Sequence, residues 1–498
     1  MYPGPRTRLE LESNMIRSKD YQTLSRVFVT GLAAAKARSH YARRRREHLD
    51  AAEFPWIFHG LEREPGGELH WLMNGVRLFQ EPSVQYLVGI NQPGVTLVLD
   101  PSAAAGRREV LFLPAKDPAR EFWDGIRLGI VPGRGEEARR NLSFLRELTG
   151  IDRILPSGDL PAFLSVLSTR HAVIGVFHQK YPGGKSLPDD PSTAFARRVA
   201  NLARPHGCRV VPVAAQHLRL RLPLDSWQLA ECERAQEWTR EAFEELLPRL
   251  GELTTEHAIA GVLEGEMLRR SAWGLAFPTI CAAGANAGVL HYMKNDEPVP
   301  AGSMVLLDFG CRSATMHADI SRTVPASGKF DPLQRLLYGI VLDAQAHAES
   351  LVRPGLTIRE MNRMTWQNLE DLLEERFLAK GGTMHRPYAE GNLATLPSKA
   401  KAHPKQPHGL SHLMGEQEHD GDPFRLYQDE PLRAGLMLSN EPGLYGRFRI
   451  RLEGKLWEGS LGIRIEDDLL VTPKGCRNLS KAIPKDPDEI RRRIGGTP

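Results

Sequence analysis

Short apolar runs separated by turn residues dominate the chain between Val84 and about residue 220. The runs are rich in valine, leucine and isoleucine, which is typical of buried strands. Turn signals such as Gln92-Pro93-Gly94 and segments with helical spacing lie between them. This order predicts a mixed-sheet α/β domain, in which we find no catalytic constellation. The strand candidates are 86–88, 95–99, 110–113, 172–177 and 210–213, and the helical segments are 138–148 and 162–167.

A different pattern begins after Pro223. Asp225 and Ser226 are good N-cap residues, and a long segment with an apolar stripe at helical spacing follows them up to Leu250. Further helix-like and strand-like runs are interleaved behind it, which predicts an α+β domain. The expected parts are a loose N-terminal tail over 1–22, an α/β domain over 23–221 and an α+β domain over 222–490.

The composition agrees with a globular protein of several domains. The 498 residues are enough for two or three domains. With 41% hydrophobic and 25% charged residues, the chain does not resemble a fibrous or largely disordered protein. The 65 basic and 61 acidic residues leave a net charge of +4, a surplus too small to indicate nucleic acid as a partner.

The five cysteines are scattered and contain no Cys-x-x-Cys pair, which favours a reducing compartment. We therefore expect a cytoplasmic protein. No apolar run approaches the ~20 residues that a membrane-spanning helix needs, so we expect no membrane partner. The one segment with some targeting character, 27–37, would have an unusually long charged leader that contains Asp20, and we do not expect it to be a signal peptide.

Four consecutive arginines, Arg43 to Arg46, lie in helix-compatible sequence between Tyr41 and Leu49. Such a run can bind a phosphate backbone, but here no aromatic residues are interleaved with the arginines. The pattern favours a solvated helix face, so we expect these side chains to be exposed.

Two aspartates, Asp308 and Asp319, lie eleven residues apart at the ends of apolar, strand-like runs. A carboxylate beside a buried strand is costly unless a cation or a hydrogen-bond donor meets it. If residues 311–315 form a turn, the two strands pair antiparallel and point both carboxylates to one face. For this pair alone, surface acids at strand ends remain an equally good interpretation.

Histidines are concentrated in a short segment of the C-terminal third. His408, His412 and His419 lie within twelve residues. Histidines in a loop are often merely solvated polar groups, so the segment alone does not establish a metal site.

Two glutamates follow at strand ends. Glu441 ends a strand-like run, and the Pro-Gly turn behind it fixes the direction of its side chain. The alternation within 462–471 places Arg464 and Glu466 on the same side of a predicted strand. Arg464 can therefore neutralise or orient groups beside Glu466.

Together these acids predict a metal site. The carboxylates of Asp308, Asp319, Glu441 and Glu466 would repel one another in one pocket, and two divalent cations would balance them, with His412 as the nitrogen ligand. A carboxylate-rich set with one imidazole suits Mn²⁺, Co²⁺, Fe²⁺ or Zn²⁺. Two such ions can activate water at neutral pH, so the implied reaction is hydrolysis.

Several segments resemble, in order, the motifs of the aminopeptidase P (Xaa-Pro aminopeptidase) family. The resemblance covers about residues 222–475 and extends more faintly over 86–99 and 111–129. The matching segments are Val289-Leu290-His291-Tyr292, Leu307-Asp308-Phe309-Gly310, His317-Ala318-Asp319-Ile320-Ser321-Arg322-Thr323, His408-Gly409-Leu410-Ser411-His412, His419-Asp420, Asn440-Glu441-Pro442-Gly443-Leu444-Tyr445 and Gly462-Ile463-Arg464-Ile465-Glu466-Asp467-Asp468.

The resemblance implies an α/β N-terminal domain followed by a pita-bread catalytic domain. It also implies a dinuclear metal site, often loaded with Mn²⁺, that removes an N-terminal residue preceding proline. By the motif matches, Asp308 resembles a ligand of one ion, and His412 and Glu441 resemble ligands of the other. Asp319 and Glu466 resemble the bridging residues.

The same matches imply roles in catalysis and binding. Glu441 would carry a proton from the attacking water to the leaving proline nitrogen. His291, His408 and His419 resemble cleft histidines that bind the peptide and stabilise the gem-diolate. Arg464 resembles the arginine that supports the bridging glutamate. The expected partners are peptides with proline in the second position, and we expect a homo-oligomer, either a dimer or a tetramer.

This chain departs from the family pattern at two places. The segment 413–422 is more acidic than is usual, and the loop 386–407 looks longer than is common. All five metal positions are nevertheless filled. The departures therefore affect the expected substrate preference more than the expected chemistry.

Three alternatives share the fold. A proline dipeptidase (prolidase) has the same five ligands, although the upstream resemblance favours the aminopeptidase. A non-catalytic pita-bread module that binds peptides would usually have lost ligands. A creatinase-like, metal-free hydrolase would have no use for four converging acids.

Overall fold

The computed structural model describes most of the chain. The predicted tail 1–22 lies outside the described residues, as do most of the predicted loop 386–407 and the first part of the segment 27–37. The described residues are 34–62, 80–124, 127–178, 191–271, 273–386, 406–421 and 426–494.

The chain divides into two compact units, with the main boundary between His217 and Leu218. The strands of the first unit are β1 (Trp56–His59), β2 (Thr96–Leu99), β3 (Glu109–Leu113), β4 (Arg153–Pro156), β5 (Val173–Val176) and β6 (Arg209–Pro212). They form one mixed sheet in the order β4-β3-β2-β1-β5-β6. The pairs β1–β2 and β2–β3 are antiparallel, and the other pairs are parallel.

Six helices belong to the described part of this unit. In its core, Ile57 and Phe112 of the sheet pack with Leu164 and Val199 of two helices. The helices are α1 (Ala34–Ala51), α2 (Pro82–Val88), α3 (Pro118–Asp124), α4 (Glu136–Thr149), α5 (Leu160–Arg170) and α6 (Pro191–Ala203).

The prediction that Arg43 to Arg46 form a solvated helix face is wrong for the two central arginines. Arg44 and Arg45 are 0% exposed. The Arg44 guanidinium lies 3.9 Å from the centroid of the Tyr86 ring. Arg45 pairs with Glu109 at 3.1 Å and donates to two backbone carbonyls. The five donors of a guanidinium let it satisfy buried acceptors from distant segments, which the local sequence does not reveal.

The helices of the second unit begin at capping residues. The Asp225 side chain accepts hydrogen bonds from the amides of Trp227 and Gln228, so the long helix starts where the sequence predicted. None of the described helices combines the length and the apolar character that a bilayer-spanning helix requires. The helices are α7 (Ala214–Arg221), which crosses the boundary, α8 (Ser226–Leu246), α9 (Glu256–Arg270), α10 (Pro332–Leu351), α11 (Ile358–Arg376) and α12 (Pro487–Ile494).

The strands of the second unit are β7 (Ile280–Ala283), β8 (Met304–Phe309), β9 (Arg312–Ser313), β10 (Met316–His317), β11 (Ile320–Pro325), β12 (Thr383–His385), β13 (Leu413–Met414), β14 (Met437–Asn440), β15 (Gly443–Leu452), β16 (Lys455–Arg464), β17 (Asp467–Thr472) and β18 (Gly475–Asn478). They form antiparallel sheets in the orders β10-β9, β11-β8-β7, β12-β15-β16 and β13-β14-β17-β18. Interleaved helices and antiparallel strands confirm the predicted α+β class.

The prediction of a strand over 86–88 is wrong, because these residues form the end of helix α2 (Pro82–Val88). The Glu81 side chain accepts from the Val84 amide and Pro82 occupies the first turn, which starts a helix here.

Two other local predictions need refinement. The strands β8 and β11 pair antiparallel as predicted, with Asp308 opposite Ser321, but the connection between them forms the small hairpin β9–β10. The continuous strand predicted over 462–471 is interrupted. Strand β16 ends at Arg464 and pairs with β15, whereas β17 begins at Asp467 and pairs with β14. The chain thus changes sheets at Ile465 and Glu466.

Replacing Arg45 with alanine is expected to lower the free energy of unfolding of the first unit by about 3–5 kcal/mol, because Glu109 and two buried carbonyls lose their partner. Arg46→Ala is the matched control, since the neighbouring Arg46 is exposed. Its effect should stay within about 0.5 kcal/mol. Urea unfolding, monitored by hydrogen exchange of amides in the first unit, measures the free energy of unfolding of each variant. Equal losses in the two variants would contradict the assigned role of Arg45.

Candidate active site

The five predicted ligands lie at the ends of strands in the second unit. Asp308 lies near the end of β8, and Asp319 directly precedes β11. His412 directly precedes β13, while Glu441 and Glu466 lie in the short breaks between β14 and β15 and between β16 and β17. Side chains at such breaks can project into a pocket without disturbing the pairing of the strands.

Hydrogen bonds between a loop and β14 bring His412 to Glu441. The His412 amide donates to Oγ of Ser439, and the Ser439 amide donates to the His412 carbonyl. Two residues after Ser439, the Glu441 amide donates to the carbonyl of Leu410. The backbone itself therefore fixes the spacing of these two candidate ligands.

The ligand atoms lie close together. Nε2 of His412 is 3.5 Å from Oδ2 of Asp319 and 3.7 Å from Oε1 of Glu441. Ligand atoms of Asp319, His412 and Glu466 all lie within 4.8 Å of one another. These spacings are suited to donors that share a cation.

The Arg464 guanidinium connects the two remaining acids. Its Nη2 donates to Oδ2 of Asp308 at 2.5 Å, and its Nε donates to Oγ of Ser321 at 2.7 Å. The Ser321 hydroxyl in turn donates to Oε2 of Glu466 at 2.8 Å. Arg464 thus orients Asp308 directly and Glu466 through Ser321.

Burial and mutual repulsion make the charged form of the cluster unfavourable. Burial, followed by the charges of Asp308 and Asp468, raises the pKa of Asp319 well above its usual value. Burial, followed by the charge of Asp319, has the same effect on the pKa of Glu466. Burial raises the pKa of Glu441 to about 8, although Arg464 favours its charged form.

The donor set fits divalent metal ions. Oδ1 of Asp308 is buried and has no hydrogen-bond partner among the described residues, although its other oxygen is bound to Arg464. An unpaired buried carboxylate oxygen is costly and is relieved by a cation. Carboxylate oxygens with one imidazole nitrogen form a ligand set suited to Mn²⁺, Co²⁺, Fe²⁺ or Zn²⁺.

His408 adjoins the acids and is bound at both ring nitrogens. Its Nδ1 lies 2.7 Å from the Gly409 carbonyl, which can only accept, so we assign the proton to Nδ1. Its Nε2 then accepts from the Tyr445 hydroxyl at 3.0 Å. Nδ1 is also 3.6 Å from Oε2 of Glu441. Burial, with a further contribution from Arg464, lowers the pKa of His408 to about 3, which makes this ring neutral.

The other two cleft histidines differ in exposure. The ring of His419 stacks on that of His412, with centroids 3.7 Å apart and 15° between the planes. Its side chain is 49% exposed, so it can meet a ligand from solvent. His291 is also exposed and is coupled electrostatically to His408. The contacts of His408 and His419 place these two rings beside the acids, and the charge of His291 acts on His408.

Sequence reasoning missed several supporting residues. The Tyr445 hydroxyl joins His408 to Arg464, whose Nη1 lies 3.4 Å from it. The Asp468 carboxylate accepts from the Asp319 amide at 3.0 Å and from the side chain of Gln236. Tyr445 and Asp468 lie inside the motifs that carry the resemblance, which is the one signal that could have identified them.

The unusual acids of 413–422 contribute to structure where they are described. The Asp420 carboxylate is buried, pairs with Arg221 and accepts from the Glu416 amide. Glu416 is also buried, and it accepts from the Gln228 side chain at 3.0 Å. Asp420 and Glu416 therefore stabilise the connection between His412 and His419, whereas the charge of Glu418 contributes to the raised pKa of Asp319.

Two glycines permit close approaches beside the site. A Cβ atom on Gly310 would lie 1.8 Å from the Ala318 carbonyl, one residue before Asp319. A Cβ atom on Gly462 would lie 2.0 Å from the Ala287 carbonyl. Both positions therefore require glycine for the observed packing of the strands that carry the ligands.

Two family models match the chain. Metallopeptidase family M24 matches residues 230–473, the part that contains the acid cluster. The N-terminal domain of aminopeptidase P matches residues 75–174.

Individual proteins are similar over most of the chain. Xaa-Pro aminopeptidase 1 of Streptomyces coelicolor is 30% identical over 439 residues, which cover 86% of this chain and 82% of that protein. The structure of proline aminopeptidase P II from Yersinia pestis is 27% identical with a TM-score of 0.71, and it covers 92% of this chain and 100% of its own. Zn-substituted Escherichia coli aminopeptidase P in complex with product is 26% identical with a TM-score of 0.71, covering 92% and 98%.

Replacing Glu441 with glutamine should stabilise the metal-free protein increasingly as pH rises from 5 to 8. The folded-state pKa of Glu441 is about 8, above its ordinary value of 4.5, so the folded protein binds more protons between these values. The stability that Glu441 contributes is therefore present at low pH and lost towards pH 8, whereas glutamine does not ionise. Thermal unfolding in EDTA at several pH values measures the difference, and a pH-independent difference would contradict this assignment.

Proposed function

Because the chain belongs to the aminopeptidase P family of pita-bread metallopeptidases, we propose that it removes the N-terminal residue from peptides whose second residue is proline. The observation that carries this proposal is the cluster of Asp319, His412 and Glu466, whose ligand atoms lie within 4.8 Å of one another. Glu441 lies 3.7 Å from His412, and Arg464 binds Asp308 beside the same cluster. A metallo-aminopeptidase needs such a cluster, and a non-catalytic module does not.

We propose that the five residues bind two divalent ions, with Mn²⁺ as the first choice and Co²⁺, Zn²⁺ or Fe²⁺ as alternatives. Asp319 and Glu466 would bridge the ions, Asp308 would complete one site, and His412 and Glu441 would complete the other. Two positive ions of this charge would balance the four acids. When bound, such ions polarise a carbonyl and supply a hydroxide nucleophile at neutral pH.

The protein groups around the ions would position the reactants and move a proton. Glu441 would accept a proton from the attacking water and deliver it to the proline nitrogen, which needs it in order to leave. His408 is held by Gly409 and Tyr445 beside Glu441, and this position supports the proposal that it would orient a peptide carbonyl. His419, stacked on the ligand His412, is exposed enough to contact the reacting carbonyl as charge develops on its oxygen.

Two further features belong to this proposal. The scattered cysteines, all free, are in keeping with a cytoplasmic location. The family resemblance leads us to propose a homo-oligomer, a dimer or a tetramer.

Replacing His412 with alanine should abolish binding of at least one of two divalent ions per chain, because a ligand is lost. His419→Ala should retain both ions but reduce kcat about 100-fold or more, since this ring contacts the reactants rather than the metal. The exposed histidine of α9 supplies the matched control, His257→Ala, which should leave both properties unchanged. Elemental analysis and steady-state kinetics measure the two effects.

Equal loss of metal in the His412 and His419 variants would show that ligand and cleft histidine are wrongly assigned. Binding of no divalent ion by the unaltered protein would remove the basis of the proposed function.

The metal-loaded protein should cleave Ala-Pro-Ala at least about tenfold faster, in kcat/KM, than Ala-Ala-Ala. Proline presents a rigid ring and a tertiary nitrogen where alanine presents an N–H donor, so a cleft built for proline discriminates between them. Release of free alanine, measured by chromatography, reports the reaction.

Equal cleavage of both tripeptides would replace the proposal with a broader aminopeptidase on the same metal site. Cleavage of the dipeptide Ala-Pro alone would instead identify a prolidase. Peptide binding without any cleavage would identify a non-catalytic module.

A further inference from the structure

The outer half of the β15–β16 hairpin carries a row of exposed arginines. Arg447, Arg449 and Arg451 alternate along β15 with the buried Phe448 and Ile450. Alternate residues of a strand project from the same face, so three guanidinium groups share one face of the hairpin. We refer to Arg447, Arg449 and Arg451 as the arginine row.

The face of the arginine row continues into the active site. Tyr445 precedes Arg447 by two positions, and the pairing of β15 with β16 is uninterrupted between them. The Tyr445 hydroxyl contacts His408 and Arg464. The row therefore begins one pleat repeat, roughly 7 Å, along the strand from a residue of the site.

Positive charge outweighs negative charge on the outer hairpin. Arg449 faces Glu458 across the strand pair at 3.7 Å, but both side chains are more than half exposed, at 61% and 64%, so the pair is weak and exchangeable. Arg447 lies opposite Ser460 on one side and His385 on the other, neither of which carries a carboxylate. The charged residues of 447–460 are Arg447, Arg449, Arg451, Glu453, Lys455 and Glu458.

We infer that the arginine row binds acidic side chains of the peptide substrate, on the part of the peptide that follows proline. This inference rests on the proposed function, because it extends the same peptide site. An enzyme that removes one N-terminal residue must let the rest of the peptide leave through an open side. On the face of β15 that Tyr445 shares with the arginine row, Tyr445 is buried and Arg447 is exposed, so burial ends between these two residues.

The spacing of the row matches an extended peptide. Alternate side chains of an extended chain repeat at roughly 7 Å, as do alternate residues of β15. Given the length of an arginine side chain, an acidic residue two to four positions beyond proline would reach Arg447, and later acids would reach Arg449 and Arg451. Guanidinium groups bind carboxylates through paired hydrogen bonds, which makes carboxylate side chains the best-matched ligand.

The test uses amidated peptides that begin Ala-Pro and continue with five residues. Glutamate occupies the third and fifth positions after proline in one peptide, glutamine occupies them in the second, and the third contains glycine throughout. The metal-loaded, full-length protein should cleave the glutamate peptide with a kcat/KM about 3–10 times that of the glutamine peptide at low ionic strength. At about 1 M salt the ratio should approach one, because the Debye length falls to about 3 Å.

Arg447→Gln/Arg449→Gln/Arg451→Gln should bring the ratio to about one while leaving cleavage of the glycine peptide unchanged, which also shows that the variant is folded. A control with the same change in charge is Lys481→Gln/Arg491→Gln/Arg492→Gln, which alters exposed cations of the C-terminal segment. This control should retain the preference for glutamate.

A ratio near one in the unaltered protein, with normal cleavage of the glycine peptide, overturns the inference but leaves the proposed function intact. Failure to cleave any of the three peptides overturns the proposed function instead. Retention of the preference in the variant of the arginine row also overturns the inference. If the ratio is one in both the unaltered protein and the variant, and the variant has a changed elution volume in size-exclusion chromatography, the arginine row contacts a second copy of the chain instead. That result also overturns the inference.

Discussion

Repulsion among four carboxylates in one buried pocket is the constraint that the surrounding structure has to meet. Arg464 meets part of it by binding Asp308 directly and Glu466 through Ser321. Burial and the neighbouring carboxylates still raise the pKa values of Asp319 and Glu466, so the charged forms of these acids stay unfavourable. The cluster is therefore suited to ligands that bring positive charge.

A second buried cation fixes the backbone behind the pocket. Arg322 donates to the carbonyls of Ser321 and Glu466 and pairs with the fully buried Asp467. Burial alone would raise the pKa of Asp467, but Arg322 and Lys485 hold it well below its usual value, so this acid stays charged. The three consecutive acids 466–468 therefore make different contacts. Glu466 faces the pocket, Asp467 anchors Arg322, and Asp468 supports the amide of Asp319.

Local sequence patterns correctly predicted the class of each domain, the helix cap at Asp225 and the strand ends that carry the acids. Each of these features depends mainly on residues that are close in sequence. They were insufficient where the decisive partner is distant in sequence. The chain changes sheets at Glu466 because β16 and β17 pair with different strands. The alternation of residues within one segment does not reveal which strands it pairs with. Arg44 is buried for a similar reason, since its partner Tyr86 lies in another helix. The resemblance supplied the ligand set, but the structure supplied the hydrogen bonds that support it.

The placement of ligands in breaks between strands has an evolutionary consequence. Three of the candidate ligands lie outside the paired strands beside them, so each side chain can be replaced without altering a sheet. They are Asp319, Glu441 and Glu466. Each also adds repulsion to the metal-free fold, so a replacement of similar size without charge relieves that repulsion. A duplicated gene freed from selection for turnover would therefore drift towards inactive descendants that fold more securely than their ancestor. Within such a lineage, the working enzyme is the member that selection must actively maintain.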